Sequence, residues 1–244
     1  MNPKVTIVIP CYNAEKWIEK SILSAITQDY ENIEVIFIDN ESIDNSATIA
    51  AAVKETYPQL IVGSAPNVYP NCWDEARAVG LEMMTGEYVM TMGADDWIDK
   101  SFIGNCMHYV LASPDKILAF QSPIKGVREE QETYTGEIIH TYRSLKEFKQ
   151  NLLERCPVNT PTVIFKRSLY DDGLLETHPQ IYGGAADYDL YCRLADNDIF
   201  IYPAPRWLGF YYRWHSGQAT WQVHKEGKNY DRMIQDYWKD KWKI

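Results

Sequence analysis

Apolar positions in the first half of the chain switch repeatedly between a short continuous run and a helical stripe. Val5–Ile9 is a β-branched run closed by Pro10, the pattern of a strand buried on both faces. Asn13 is the expected cap of a helix carrying Trp17, Ile18, Ile22, Ala25 and Ile26 on one face. Ile33–Ile38 predicts a second buried strand and runs into the polar segment Asp39-Asn40-Glu41-Ser42-Ile43-Asp44. A helix with Ile49, Ala52 and Val53 follows, then a strand near Leu60–Val62 and a helix over Cys72–Met84. A fourth strand over Glu87–Met92 ends at Gly93-Ala94-Asp95-Asp96. Strands alternating with helices at this spacing predict right-handed crossovers and a mostly parallel sheet. Ligands of such sheets bind beyond the carboxyl ends of the strands, where Asn13, Asp39 and Asp95 all fall.

The second half is less regular. Lys116–Ser122, Thr162–Lys166 and Leu208–Trp214 read as strands, and Leu145–Leu153 and Ala186–Ala195 as helices. Gly126–Thr141 is a charged, Thr/Glu-rich insertion with no clear pattern. Glu226–Trp242 places Tyr230, Ile234, Tyr237 and Trp238 at helical spacing. No internal repeat or linker interrupts the chain, so one domain over 1–244 is expected, with a first half to about 112 and a second from 113.

Charge narrows the partners. With 24 basic against 34 acidic residues, a formal charge of −10, the chain lacks the basic face that nucleic-acid binding requires. Its five cysteines, Cys11, Cys72, Cys106, Cys156 and Cys192, include no C-x-x-C pair and read as buried reduced thiols. The apolar run at Val5 is too short for a leader peptide, and nothing approaches the ~20 apolar residues of a spanning helix. A soluble, cytoplasmic protein is expected.

The strongest local chemistry is Asp95-Asp96, two acids side by side past a buried strand. Such a pair repels itself unless something offsets the repulsion. A divalent cation bound to a diphosphate would do so, since Mg²⁺ takes one or two carboxylates together with phosphate oxygens. The alternative is that one acid only caps the helix expected around Asp99–Leu111.

Three segments bear on that choice. Val5-Thr6-Ile7-Val8-Ile9-Pro10-Cys11-Tyr12-Asn13-Ala14-Glu15, Val35–Asp44, and Gly86-Glu87-Tyr88 leading into Gly93-Ala94-Asp95-Asp96 closely resemble, in order, the motifs of family-2 glycosyltransferases. The resemblance implies an α/β, Rossmann-like GT-A fold, its first half (1–112) holding a nucleotide-sugar donor and its second (113–244) the acceptor. Pro10, Tyr12 and Asn13 would lie against the nucleoside, and Asp39 would bond the base, uracil in most relatives. Arg77 stands where relatives carry an arginine facing the nucleotide, or else is a solvated helix residue. Asp95 would bind Mn²⁺ or Mg²⁺, and Asp96 the ribose or the metal. Two departures stand out: Gly93 replaces the first acid of the family's motif, and Asn40-Glu41 replaces Asp-Gly.

Farther on, Gly183–Leu194 is similar to the family's segment that supplies a catalytic base, with Asp187 in the matching place and Ala186 where an acid usually precedes it. Asp189 is the rival base, and a helix cap the structural alternative for Asp187. Tyr212-Arg213-Trp214-His215 resembles a C-terminal motif in which His215 would reach back to the metal or diphosphate. Eleven aromatics in Tyr202–Ile244 would serve either core packing or stacking of acceptor sugars. The final helix, with its lysines, Trp238 and Trp242, either packs on the domain or touches an anionic membrane surface from the cytoplasmic side. The expected activity is metal-assisted, inverting transfer of a sugar from a UDP-sugar to a saccharide or lipid-linked saccharide. The rivals are a sugar-nucleotide nucleotidyltransferase and a binding relative without turnover.

Overall fold

The computed structural model of the protein describes residues 2–68, 72–128, 133–218 and 227–243, the side chains of 72 and 73 excepted. The first half follows the expected alternation. It comprises β1 (Val5–Cys11), α1 (Ile18–Ile26), β2 (Ile33–Asp39), α2 (Ser46–Thr56), β3 (Ile61–Ser64), α3 (Cys72–Met83), β4 (Tyr88–Thr91), β5 (Trp97–Ile98) and α4 (Phe102–Val110). The second half holds β6 (Ala119–Gln121), β7 (Ile124–Arg128), β8 (Thr133–Ile138), α5 (Leu145–Leu152), β9 (Ile164–Lys166) and α6 (Ser168–Asp171). It ends with α7 (Pro179–Tyr182), α8 (Ala186–Asp196), β10 (Ile201–Pro203), β11 (Phe210–Trp214) and α9 (Tyr230–Trp242).

Seven strands form the main sheet in the order β10-β6-β9-β4-β1-β2-β3, parallel throughout except that β9 runs against both of its neighbours. Because strand side chains alternate, β1 feeds two cores. Val5, Ile7 and Ile9 face α1, α2 and α4, whereas Val8 joins a second cluster with residues of α3, α5, α8 and α9. Burial on both faces explains why β1 and β2 read as unbroken apolar runs. On α1, Ile18, Ser21, Ile22 and Ala25 are buried at the expected helical spacing.

Some boundaries shift for physical reasons. Strand β1 runs through Pro10 to Cys11. The Val8 carbonyl accepts from Met92 N on the β4 side and the Cys11 carbonyl from Asn40 N on the β2 side. Pro10 therefore turns its missing N–H toward β4, which has already ended at Thr91. Asn13 does not cap α1: the helix starts at Ile18, and Asn13 bonds to the loop after β2 instead. Neither Asp95 nor Asp96 caps α4, whose preceding residue is Ser101. The patternless insertion contains β7 and β8, which join β5 and β11 in a second sheet of order β5-β11-β7-β8. Residues 129–132 and 219–226 lie outside the described set, as do His224, Lys225 and the start predicted for the last helix at Glu226.

Among the described residues no helix is long and apolar enough to cross a membrane. Helix α9 buries Tyr230, Ile234 and Trp238 against the domain. The two tryptophans considered for a membrane surface are engaged internally: Trp238 Nε1 donates to Asp189 Oδ1 at 3.0 Å and Trp242 Nε1 to Asp196 Oδ1 at 2.9 Å. Asp189 is 3 % exposed, and its other oxygen takes Arg193 Nε at 3.0 Å with His178 Nδ1 at 3.6 Å. Both oxygens of this carboxylate thus tie α9 and α7 to α8, a structural use. Asp189→Ala strands the Trp238 N–H and the Arg193 charge together, so a loss of roughly 1–3 kcal/mol is expected. Urea denaturation should show it as a lower midpoint with an unchanged slope; an unchanged midpoint would refute the assignment.

Candidate active site

Three loops meet beyond the carboxyl ends of β1, β2 and β4. The first two are knitted together by side chains. Asn13 sits at φ 51°, receives Ile43 N on Oδ1 at 2.9 Å and gives its own N–H to Ser42 Oγ at 3.1 Å. Ala14 N donates to Ser46 Oγ at 2.8 Å and Glu15 N to Asp44 Oδ2 at 3.0 Å. Tyr12 between them is 49 % exposed, free to cover a ligand, and Pro10 lies one strand position before Cys11. Asp39 ends β2 partly buried, one oxygen accepting Ser42 N at 3.3 Å.

The Asn40-Glu41 departure keeps the turn. Glu41 adopts φ 58°, the left-handed region a glycine enters without strain. Its side chain offsets that strain by accepting Asn67 N at 3.1 Å, and Asn40 Nδ2 reaches the Pro66 carbonyl at 2.8 Å. The segment after β3 is thereby pinned beside Asp39, where Ala65 N also meets the Asp39 carbonyl at 2.9 Å.

At the third loop the two acids separate in role. Asp95 Oδ2 lies 2.8 Å from His215 Nε2, and the His215 ring packs on Trp17 with centroids 4.1 Å apart. Asp96 is 2 % exposed: Oδ1 accepts the main-chain N–H of Arg213 at 3.0 Å, while Oδ2 is buried without a partner among the described residues. Burial, then the Asp95 charge, pushes the Asp96 carboxyl well above the usual carboxylate range, against the pull of Arg213. Arg213 Nε donates to the Asp95 carbonyl at 2.9 Å and its guanidinium lies over Trp97 at 4.6 Å. Gly93, the other departure, gives the acids room: a Cβ there would stand 2.6 Å from Asp95 Oδ1 and 2.9 Å from Asp96 Oδ2.

Asp187 occupies the first turn of α8. Its Oδ1 accepts Tyr188 N at 2.8 Å and its Oδ2 the Thr160 hydroxyl at 2.6 Å. Burial raises its carboxyl above the ordinary range, although the Thr160 bond works the other way. Met90 of β4 pairs with Ile164 of antiparallel β9, so the Thr160–Thr162 turn just before β9 lies beyond the carboxyl end of β4. Thr160, which no sequence signal marks, thus relates Asp187 to the strand end that carries Asp95.

Arg77 is not a solvated helix residue. It is 7 % exposed, and its guanidinium donates to the Leu175 carbonyl at 3.0 Å, with Asp74 and Asp187 as neighbouring charges. Among the described residues no group of three or more His, Cys, Asp or Glu side chains is arranged to hold a metal ion. The Asp95 carboxylate and the buried Asp96 Oδ2 are adjacent hard oxygen donors, the chemistry that suits a divalent cation bringing its other ligands from a diphosphate and water.

The family model described as glycosyl transferase family 2 matches residues 6–178. The chain belongs to glycosyltransferase family 2. Glycosyltransferase GlyA of Streptococcus pneumoniae is 32% identical over 103 residues, covering 42% of this chain and 14% of its own length. An uncharacterized glycosyltransferase of Haemophilus influenzae is 27% identical over 199 residues, covering 79% of this chain and 60% of its own. The chain therefore spans less than two thirds of the length of each of these relatives. Among solved structures, S. aureus TarS in complex with UDP superposes with TM-score 0.69 at 19% identity, over 90% of this chain and 63% of that one. The mannosyltransferase PcManGT from Pyrobaculum calidifontis, in complex with GDP-Man and Mn2+, gives TM-score 0.63 at 17% identity, over 97% and 69%. The fold is the GT-A arrangement.

Asp74, at the start of α3, sharpens the electrostatics near Asp187. Its Oδ1 accepts the Thr177 hydroxyl and its Oδ2 is buried without a partner. Burial pushes its carboxyl up to about 6, with Thr177 and Arg77 opposing and Asp187 adding to the rise. An unfolded chain releases that proton near ~3.9. Between these values the unfolded state ionises first, so folding stability falls as pH rises from ~4 to ~6 and levels off above. Asp74→Asn should remove a destabilisation of about 3 kcal/mol at pH 7 and change little at pH 4. Urea midpoints at the two pH values test this; parallel pH profiles for variant and parent would refute it.

Proposed function

We propose that this chain transfers a glycosyl group from a nucleoside-diphosphate sugar, UDP-linked, to a saccharide hydroxyl with inversion. The observation that carries the reading is the pair of acidic centres at one sheet end: Asp95 with His215 past β4, and Asp187 held by Thr160 just before β9. The first half would seat the donor, with Pro10, Tyr12, Asn13 and Asp39 at the nucleoside. The second half would seat the acceptor, a soluble or lipid-linked saccharide, and the two would act as one domain. UDP and UDP-GlcNAc in TarS and GDP-Man in PcManGT support a nucleotide-sugar donor.

In this scheme Asp187 removes the acceptor hydroxyl proton, the acceptor oxygen bonds to the anomeric carbon from the far side, and the bond to the diphosphate breaks. Arg213 and His215 provide positive and hydrogen-bonding character beside the departing group. Mn²⁺ or Mg²⁺ held by Asp95 and His215, with Asp96 adjoining, would supply further charge to the diphosphate. Asp187 suits the base because its only side-chain partner among the described residues is the Thr160 hydroxyl, whereas both Asp189 oxygens are spent on packing.

A thermal-shift series with UDP, UDP-GlcNAc and GDP-mannose, each with and without Mn²⁺, tests the donor side. Saturation at 100 times the dissociation constant adds ~2.7 kcal/mol. The UDP compounds should stabilise the protein in a Mn²⁺-dependent way that Asp95→Ala abolishes. Equal shifts in chelator-treated protein would remove the metal from the scheme.

The chemical side is tested by Asp187→Asn, which keeps the shape and one of the two accepted hydrogen bonds but cannot take a proton. It should slow transfer or donor hydrolysis by ~10²–10⁴ and leave UDP affinity within a few-fold. Undiminished turnover in the variant would place the base elsewhere.

A further inference from the structure

Thr160 stands in a frame far more rigid than a loop residue ordinarily has. Asn159, 6 % exposed, donates its main-chain N–H to Gln121 Oε1 at 2.9 Å and its Nδ2 to the carbonyls of Ser122 at 3.0 Å and Ile138 at 3.1 Å. Thr162, fully buried, bonds through its hydroxyl to the Asn159 carbonyl at 2.8 Å and accepts Ser122 N at 3.0 Å. Pro161 fixes the intervening backbone. Four side chains and two strand ends thus hold the short turn between α5 and β9, and its product is one hydroxyl aimed at Asp187 Oδ2 at 2.6 Å.

From this geometry we propose that Thr160 is a positioning residue for Asp187, its hydroxyl fixing the plane of the carboxylate and favouring the charged form that accepts the acceptor's proton. The proposal rests on Asp187 being the base. The carboxylate has two anchors of different origin. Oδ1 is held by the N–H of Tyr188 in its own helix, and Oδ2 by Thr160 from across the fold. Only the second relates the orientation of Asp187 to the end of β4. An O–H···O⁻ contact of this length is charge-assisted and strong. It also opposes the burial that disfavours ionisation.

Other groups bear on the same carboxylate: Asp74 and Arg77 from α3, Cys156 after α5, Tyr191 from α8 and Asp231 from α9. Of these, Asp74 and Asp231 oppose ionisation and Arg77 favours it. Tyr191 also hydrogen-bonds the Thr160 side chain, so Tyr191→Phe, which removes that contact and leaves the Thr160–Asp187 bond, is the control against which the Thr160 variants are read.

Thr160→Val keeps the branched shape without the donor, Thr160→Ala is the second deletion should valine not be accommodated, and Thr160→Ser restores the donor. The Asp187 carboxyl carbon, assigned by its disappearance in Asp187→Asn, is followed by ¹³C NMR across pH. Its titration should move up by ~1–2 pH units in the valine or alanine variant, the equivalent of one hydrogen bond to a charged group. In the serine variant it should return to the parent value. The acid limb of UDP-GlcNAc hydrolysis should move by the same interval, with the KM for UDP-GlcNAc within two-fold. An unmoved Asp187 titration in both deletion variants would overturn the proposal, as would a serine variant that behaves like the deletions. Failure of the base assignment is separable, because Asp187→Asn would then retain turnover while the NMR shift in Thr160→Val persisted.

Discussion

The site depends above all on a bond between residues 117 positions apart. Arg213 gives its main-chain N–H to Asp96 Oδ1 at 3.0 Å and its Nε to the Asp95 carbonyl at 2.9 Å. These two bonds lock the end of β11 onto the turn that follows β4, and two residues later His215 is delivered to Asp95. The two bonds add to the pairing of β11 with β5, the short strand that follows this turn, which spans two positions. Asp96 is buried to make this join, and leaving its other oxygen without a partner among the described residues is the cost.

A second constraint places the other half. Antiparallel β9 inserts between β4 and β6, reversing the chain so that the turn before it arrives where β4 leaves off. A parallel strand in that slot would have sent residues 160–162 to the opposite end of the sheet, away from every loop that carries an acid. The single antiparallel strand in an otherwise parallel sheet is what lets α8, held through Thr160, address the same edge as the donor loops.

Much of this was legible in the residues alone. The apolar runs of β1, β2 and β4 marked a doubly covered sheet because burial on both faces leaves no polar alternation, and the polar turns after them marked its functional edge. The signal weakened where structure is set by distant partners. Strand β7 is buried at Ile124, Gly126 and Val127 without a strict alternation and β8 is exposed along its length, so no periodicity announces them. Asn13 looked like a cap by type and position, yet it serves the neighbouring loop, a choice that sequence spacing does not encode. Arg77 was open between ligand and solvent in the sequence and is in fact sequestered with Leu175. Thr160 was invisible, since its role exists only through a contact with Asp187 27 residues away.

The two acidic pairs show why type and spacing stop short of role. Asp95-Asp96 and Asp187/Asp189 each present two carboxylates within one turn of chain, and nothing in the residue types separates the members. Burial and partners do. In each pair one acid is taken into the framework, Asp96 by Arg213 and Asp189 by Trp238 and Arg193. The other is left with a polar partner that can be exchanged or shared, His215 for Asp95 and Thr160 for Asp187. Asp189, with both oxygens engaged by side chains of the framework, cannot take on a proton without breaking those bonds, whereas Asp187 has one side-chain partner and Asp96 keeps one oxygen without a partner among the described residues. Chemistry is therefore expected at Asp95 and Asp187, and the framework acids set the positions from which they act.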